Sequence, residues 1–368
     1  MSTFYVGTRK GFFPFSKTDT GWTMGEPSFL GDSVPMFLPD PRDGTLYAAV
    51  EHGHFGTKMH RSENAGSTWT ELDPPTYPPK PDDVPDTINT MSQKVIPWSL
   101  EKVWSLEPGK DGSLWCGTIP GGLFQSTDRG SSWELNRALW DKPERSQWFG
   151  GGYDNPGIHS IEVNPADQDD IAVAISCGGV WRTRDGGKSW NQSAHGMFYE
   201  FVPGERETNP EIQDPHRTVR CPSAPDQMWT QHHGGIFRTT NDSETWDYID
   251  DVAPSGFGFA VSVHPKDPET AWFVPAKKDE FRYPTDGKLV VNKTTDGGKT
   301  FISHDTGLPP SPAYDLVYRH GLDVDDSGDL LVMGSTTGSI WISEDGGESW
   351  ENLSAHLPPI YCVRFAKS

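Results

Sequence analysis

The feature that most limits what this chain can become is an eight-residue pattern that returns along its whole length. Its clearest copy is Ser343-Glu344-Asp345-Gly346-Gly347-Glu348-Ser349-Trp350, an S-x-D-x-G-x-x-W sequence. Thr183, Asp185, Gly187 and Trp190 repeat it, as do Ser126, Asp128, Gly130 and Trp133. Phe replaces Trp in Thr294, Asp296, Gly298 and Phe301, and Asn replaces Asp in Ser62, Asn64, Gly66 and Trp69. Thr239, Asn241, Ser243 and Trp246 have lost both Asp and Gly, and Asp19-Thr20-Gly21-Trp22 is a remnant. The chemistry of the pattern is that of a tight turn. Asp or Asn accepts hydrogen bonds from backbone N–H groups just downstream, and the hydroxyl helps close the same turn. Glycine supplies a positive φ. The aromatic opens the next strand and anchors it in a core. Each copy therefore predicts a β-hairpin whose turn is bonded to itself.

The seven aromatic positions are separated by gaps of 47 to 64 residues. Short strands repeating at roughly 50 residues indicate a propeller with one blade per repeat. The pattern resembles that of the Asp-box, or bacterial neuraminidase repeat, superfamily of sialidase-like propellers. Sialidases, xyloglucan-cleaving hydrolases, sortilin-type receptors and a photosystem assembly factor carry such boxes. The opening Val6-Gly7-Thr8-Arg9-Lys10-Gly11 is similar to cytosolic members classed as glycosyl hydrolases of unknown substrate. What the resemblance implies is an all-β, seven-bladed propeller spanning residues 1–368 as one domain. It implies no particular activity, because the box is a structural turn.

Placing each box between strands three and four fixes the other strands by counting outward. The third blade takes 103–107, 113–117, 122–126 and 132–135. The fourth takes 158–163, 171–176, 180–183 and 189–192. The fifth takes 218–221, 227–231, 236–239 and 245–248, and the sixth 259–263, 270–274, 289–293 and 300–303. The seventh runs from about 320 to 353. The first blade has only three strands, at 4–8, 12–15 and 22–25, while a spare strand at 360–365 follows the last box. The economical arrangement closes the ring by adding that strand to the N-terminal blade, which removes two bare edges.

Composition narrows the partners. A formal charge of −21 opposes nucleic acid and anionic membranes. No apolar run reaches the roughly 18 residues of a membrane span, and the N-terminus lacks a basic-then-apolar leader, which suggests a cytoplasmic protein. Cys116, Cys177, Cys221 and Cys362 fall in four different blades and read as buried free thiols.

The long connections at 74–101, 137–157, 193–216 and 306–319 all join a fourth strand to the next first strand, so they crowd one face. The segment at 137–157, with Trp140, Trp148 and Gly150 to Gly152, suits a packed lid. On that rim the strand ends offer Arg9, Lys10, Glu51, His52, His54, Cys177, His232, His233, Lys277 and Lys278. The strand starts offer Lys102, Trp104, His159, His216, Arg217, Arg319 and His320. Seven of the 12 histidines are in this set, in a chain of opposite overall charge, and such a local reversal is informative. Arg9, Arg217 and Arg319 resemble the three-arginine carboxylate clamp of sialidases, since guanidinium forks match carboxylates. The sialidase Phe-Arg-Ile-Pro motif is absent from the first blade, and the similar Phe281-Arg282-Tyr283-Pro284 lies in the sixth.

These residues point to a carbohydrate-active enzyme, a glycoside hydrolase or lyase, acting on an anionic sugar or related carboxylate in the central channel. His159 and His232 are the candidate general bases, and Glu51 and Asp154 the acidic partners. Arg9, Lys102, Trp104, Arg217, Arg319 and His320 are the candidate substrate-binding set. No cofactor is expected. A divalent ion at His52 and His54, joined by His159 or His232, is a further option, because alternate residues of a strand face one way. The competing reading is a non-catalytic glycan- or protein-binding or assembly propeller. One consequence concerns the turns alone. Asp185→Ala should lower the melting temperature while leaving ligand binding by the folded fraction unchanged, which paired melting and binding curves will check.

Overall fold

The turns form as their chemistry requires. In the fourth blade Thr183 Oγ1 donates to Asp185 Oδ1 (2.7 Å) and accepts from the Gly187 N–H (2.9 Å), while Asp185 Oδ1 accepts from the Ser189 N–H (2.9 Å). The same three bonds recur around Asp128, Asp296 and Asp345. Asn64 and Asn241 make them with their side-chain oxygen. Gly187 holds φ at 88°, a region that L side chains avoid. The fifth blade places Ser243 there instead, at φ 61°. Its hydroxyl lies 2.7 Å from that of Ser193 in the core, a bond that compensates for the strain. Hydrogen bonds from these turns also hold the Asp185 and Asp296 carboxyls down at about 2.

The structure, a computed structural model, describes residues 2–89, 93–150, 153–202 and 205–366. Seven four-stranded antiparallel sheets form the blades of a β-propeller, with one further hairpin of Tyr199–Val202 and Glu205–Glu207. The innermost strands are Ser33–Pro39, Lys102–Pro108, Ile158–Val163, Pro215–Arg220, Gly258–Val263 and Leu322–Val324 for the second to seventh blades. Ile360–Phe365 completes the first blade, pairing antiparallel with Thr3–Thr8 through Phe4↔Phe365 and Val6↔Val363. The expected closure is the observed one. Phe4, stacked on Phe15 and edge-on to Phe365, seals that blade. The four cysteines are free and buried.

One regularity was not expected. Blades one to six each carry one extra residue near the beginning of the inner strand. Val103 pairs with Thr118 and Ser105 with Gly117, leaving Trp104 out of the ladder. The residue left out is His159 in the fourth blade, His216 in the fifth and Tyr361 in the first. In the second blade Val34 and Pro35 face one partner residue, as do Phe259 and Ala260 in the sixth. These are β-bulges, which bend a strand and re-aim a side chain. They explain why the fifth inner strand begins at Pro215 rather than at 218. An alternation count stops at the bulge.

The bulged backbone needs room from the neighbouring blade. A Cβ on Gly117 would lie 2.6 Å from the Ile158 carbonyl oxygen and 2.2 Å from Ser105 Oγ. That hydroxyl itself donates to the same carbonyl at 2.9 Å. Gly117→Ala should therefore cost about 1–3 kcal/mol by overpacking, read as a shift in denaturant midpoint at constant slope. Ending the chain at residue 359 should reopen the ring and abolish the cooperative melting transition. An unchanged transition would refute closure by the last strand.

Candidate functional site

Bulges and loop residues together build a cavity at the end of the channel where the inner strands begin. Its volume is about 160 Å³, and it is lined by Pro35, Lys102, Trp104, Tyr153, Arg282, Tyr318, Arg319, His320 and Tyr361. The lining contains four cationic or basic side chains, four large aromatics and no carboxylate. Arg319 is 8% exposed. Its guanidinium lies 4.8 Å from the Trp104 ring and 5.6 Å from that of Phe259. Its Nε and Nη2 have no hydrogen-bond partner among the described residues. Burial lowers its pKa, yet an arginine keeps its charge in a protein. Lys102 is different. Its ammonium is 3.1 Å from Glu51 Oε1, and Glu51 Oε2 accepts from Ser33 Oγ at 2.7 Å. Burial works against the Lys102 charge, but the Glu51 carboxylate outweighs it and raises the pKa. The ammonium also faces the rings of Tyr153 and Tyr361.

A polar partition divides the channel beneath this cavity. The His159 carbonyl accepts from His320 Nε2 at 2.8 Å and from Arg217 Nη1 at 3.3 Å. Below lies a second cavity of about 280 Å³, whose wall includes Glu107, Glu162, Arg217, Arg220, Asp323 and Arg364. Glu107 is bound by Arg364. Glu162, 3.8 Å from Arg217, is pushed up to about 7 by burial. Prolines 41, 108, 165, 222 and 265 ring this mouth, each at the end of an inner strand or just beyond it.

Behind the cavity lies a buried carboxylate. Asp214 Oδ1 accepts from Ser176 Oγ (3.2 Å) and the Cys177 N–H (3.1 Å). Its Oδ2 is 3.5 Å from His216 Nε2 and 3.5 Å from His233 Nδ1. Burial would raise Asp214, but the two neighbouring histidines outweigh it and hold the carboxyl well below its usual range. Burial likewise opposes the His233 charge, and Asp214 reverses the sign and raises its pKa. Among the described residues, Asp214, His216 and His233 form the one His/Cys/Asp/Glu group of three with donor atoms within 4.8 Å of one another.

Of the ten residues singled out from the sequence, Lys102, Trp104, Arg319 and His320 line the upper cavity. Glu51 stands just behind it, holding Lys102. Arg217 belongs to the partition and the lower cavity. Arg9 is exposed at the rim, with its N–H on the Pro359 carbonyl. The three arginines thus occupy three different places and form no common clamp. Asp154 is 83% exposed, paired with Lys94 at 3.6 Å, and lines neither cavity.

The two histidines expected as bases are fully buried and line neither cavity. Burial pushes His232 down to about 3. Burial, then the nearby Arg319 charge, takes His159 well below the ordinary histidine range. Neither titrates near neutrality. Nor do His52 and His54 alternate on a strand. The strand ends at Glu51, and Gly53–Phe55 is a 3-10 turn. His52 pairs with Asp32 instead, and among the described residues no cluster with His159 or His232 results. Of the expected lid, Trp140 and Trp148 are buried and Tyr153 reaches the cavity, while Gly151 and Gly152 lie outside the described residues.

Tyr153, Tyr318, Tyr361, Arg282 and Asp214 escaped the sequence reading. Two of them carried a signal. Arg282 sits in the arginine position of Phe281-Arg282-Tyr283-Pro284. Asp214-Pro215-His216 places an acid and a histidine two residues apart, where a strand begins.

No family model matches the chain. An oligoxyloglucan-reducing end-specific xyloglucanase of Emericella nidulans is 26% identical over 258 residues, covering 69% of this chain and 27% of that protein. Among solved structures, the GH74 xyloglucanase of Xanthomonas campestris aligns with a TM-score of 0.65 at 17% identity, over 95% of this chain and 52% of that one. YCF48 bound to D1 peptide aligns with a TM-score of 0.52 at 13% identity, over 93% and 86% of the two chains. The chain thus spans about a quarter of the curated relative and about half of the Xanthomonas enzyme. At such identities the structural likeness establishes the propeller fold.

Glu162 supplies a test of the lower cavity. A carboxyl raised to about 7 binds its proton more tightly folded than unfolded. Its effect on stability is nil below its unfolded value of ~4.3 and unfavourable as pH rises towards 7. Glu162→Gln should therefore gain melting temperature over the parent protein at pH 8, keep only a small part of that advantage at pH 5, and lose it below about pH 4.

Proposed function

We propose that this chain is a carbohydrate-active propeller that receives the carboxylate of an anionic sugar in its upper cavity. The observation that carries the reading is Arg319. A buried guanidinium with two unpartnered nitrogens costs stability unless something answers it. A carboxylate would do so through a charge-assisted fork. Lys102 and Arg282 reinforce the positive field, and the low-dielectric wall strengthens it. Trp104, Tyr153, Tyr318 and Tyr361 offer the flat, amphipathic surfaces on which a sugar ring can lie. The xyloglucanase names of the relatives support sugar as the ligand class, and the cationic lining supports the anionic one.

Cleavage of a glycosidic bond would need groups that the upper cavity lacks among the described residues. Hydrolysis by the usual route takes two carboxyl groups flanking the bond, roughly 5–9.5 Å apart. No carboxylate lines the upper cavity, and Glu51 is committed to Lys102. That observation favours the second reading, recognition of the anionic sugar without cleavage.

The variant that separates function from folding is Arg319→Met. Replacing an unanswered buried charge with an apolar side chain of similar length should raise the melting temperature. It should also weaken glucuronate or sialate binding at least about tenfold, the effect of losing roughly 1.4 kcal/mol, with glucose unchanged. Calorimetric titration of the three sugars against both proteins checks this. Equal losses for acidic and neutral sugars would overturn the anionic reading.

A further inference from the structure

The geometry around Asp214 points to a second site, and we infer that Asp214, His216 and His233 bind a divalent first-row transition ion of the zinc class. The inference does not rest on the sugar reading, since none of the three residues lines the upper cavity.

It begins with a tautomer. His216 Nδ1 lies 2.6 Å from the Gly258 carbonyl oxygen. A carbonyl can only accept, so the proton is on Nδ1. In the neutral ring Nε2 is then a lone pair, and it faces Asp214 Oδ2 at 3.5 Å. Two acceptors thus confront each other where both residues are at most 2% exposed. Something positive belongs between them, either a second proton on His216 or a metal ion.

The distances suit the ion. Zinc bonds of ~2.0–2.2 Å in tetrahedral geometry put neighbouring ligand atoms about 3.3–3.6 Å apart. Oδ2 is 3.5 Å from each histidine nitrogen, and all three donor atoms fall within 4.8 Å. Two imidazoles and one carboxylate form a borderline donor set, which suits zinc, cobalt or nickel better than calcium or magnesium.

The surroundings hold these donors in place, as outer partners of metal ligands do. Gly258 orients His216, and Phe259 stacks on its ring at 4.6 Å and 16°. Ser176 and the Cys177 N–H hold the other carboxylate oxygen. The Asp214 N–H donates to His232 Nε2 at 3.0 Å, which fixes the backbone that carries the ligand. Three protein donors leave a position open to water or a ligand. His233, the most exposed of the three at 22%, marks the side from which it would be reached.

The test uses the full chain. It is dialysed against a chelator and titrated with Co²⁺, read by its visible d–d bands, then with Zn²⁺ in competition, with native mass spectrometry for stoichiometry. One equivalent should bind and raise the melting temperature. His233→Gln should weaken binding at least about tenfold, and the exposed His54→Gln should leave it unchanged. Because Asp214→Asn also disturbs a carboxylate that holds Ser176 and the Cys177 N–H, His233→Gln is the deciding variant. Absence of stoichiometric binding, or unaltered binding by His233→Gln, would overturn the site. Binding lost equally in His54→Gln would mark an adventitious surface ion and overturn it too. The protonated alternative has its own signature. Metal-free protein in which both His216 nitrogens carry protons by NMR, and which takes up no Zn²⁺, is an Asp214–imidazolium pair.

Discussion

One extra residue in each of six inner strands governs what this propeller can present along its axis. A regular strand would send alternate side chains towards the two neighbouring blades, leaving the channel lined by backbone and short groups. The bulge breaks that alternation where the strand enters the channel. Trp104, His159, His216 and Tyr361 are the residues it releases. Two of them wall the upper cavity, one lies beneath its tryptophan, and one faces Asp214. Gly117 yields space to a neighbour's bulge, so the device is built into the packing of adjacent blades as well as into single strands.

The same device sorts charge. The chain carries a net −21, yet its upper cavity is lined by cations and aromatics. Three acids near the axis have basic counterparts, while Asp323 accepts the Phe365 N–H. Glu51 has Lys102, Glu107 has Arg364, and Asp214 has two histidines. Glu162 has Arg217 at 3.8 Å and the Arg220 N–H at 3.0 Å, and burial pushes its carboxyl up to about 7. Among the described residues, Arg319 Nε and Nη2 remain without a hydrogen-bond partner. Buried charges are normally paired, so an unpaired one beside an open cavity is where a ligand has most to offer.

How much of this was legible in the sequence depended on the range of the interaction. The turns are bonded within seven residues, so Asp128, Asp185, Asp296 and Asp345 announced themselves, and their period fixed the blade count. Ring closure followed from strand counting, because a missing strand at one end matched a spare at the other. The site was legible where residues sit at strand starts, as Lys102, Trp104, Arg319 and His320 do. It failed where the count assumed unbroken alternation. A slip of one residue reverses the face of a side chain, and the bulges supply that slip. Tyr361, released by the bulge in the closing strand, could not be assigned to the axis by period two. His52 and His54 failed for a related reason. The strand stops at Glu51, and Gly53 adopts φ 58°, so the pleat that would have aligned them does not exist.

Burial explains the remaining error. Histidines on a rim suggest groups that titrate near neutrality, and seven of them suggested proton chemistry. His159 and His232 are instead sealed into the blades and His320 is buried in the cavity wall, and desolvation disfavours the charged form of all three. Their work is structural. His320 donates to the His159 carbonyl, and His232 accepts the Asp214 N–H. Neutral imidazole suits a propeller axis for this purpose, because one small ring can donate and accept at once. The carbonyl of His159, the residue its bulge leaves out of the ladder, is satisfied by the His320 ring. The residue type that looked like a cluster of bases therefore serves there as backbone bonding. The chemistry of the axis passes to other groups, first among them the guanidinium of Arg319 beside the upper cavity.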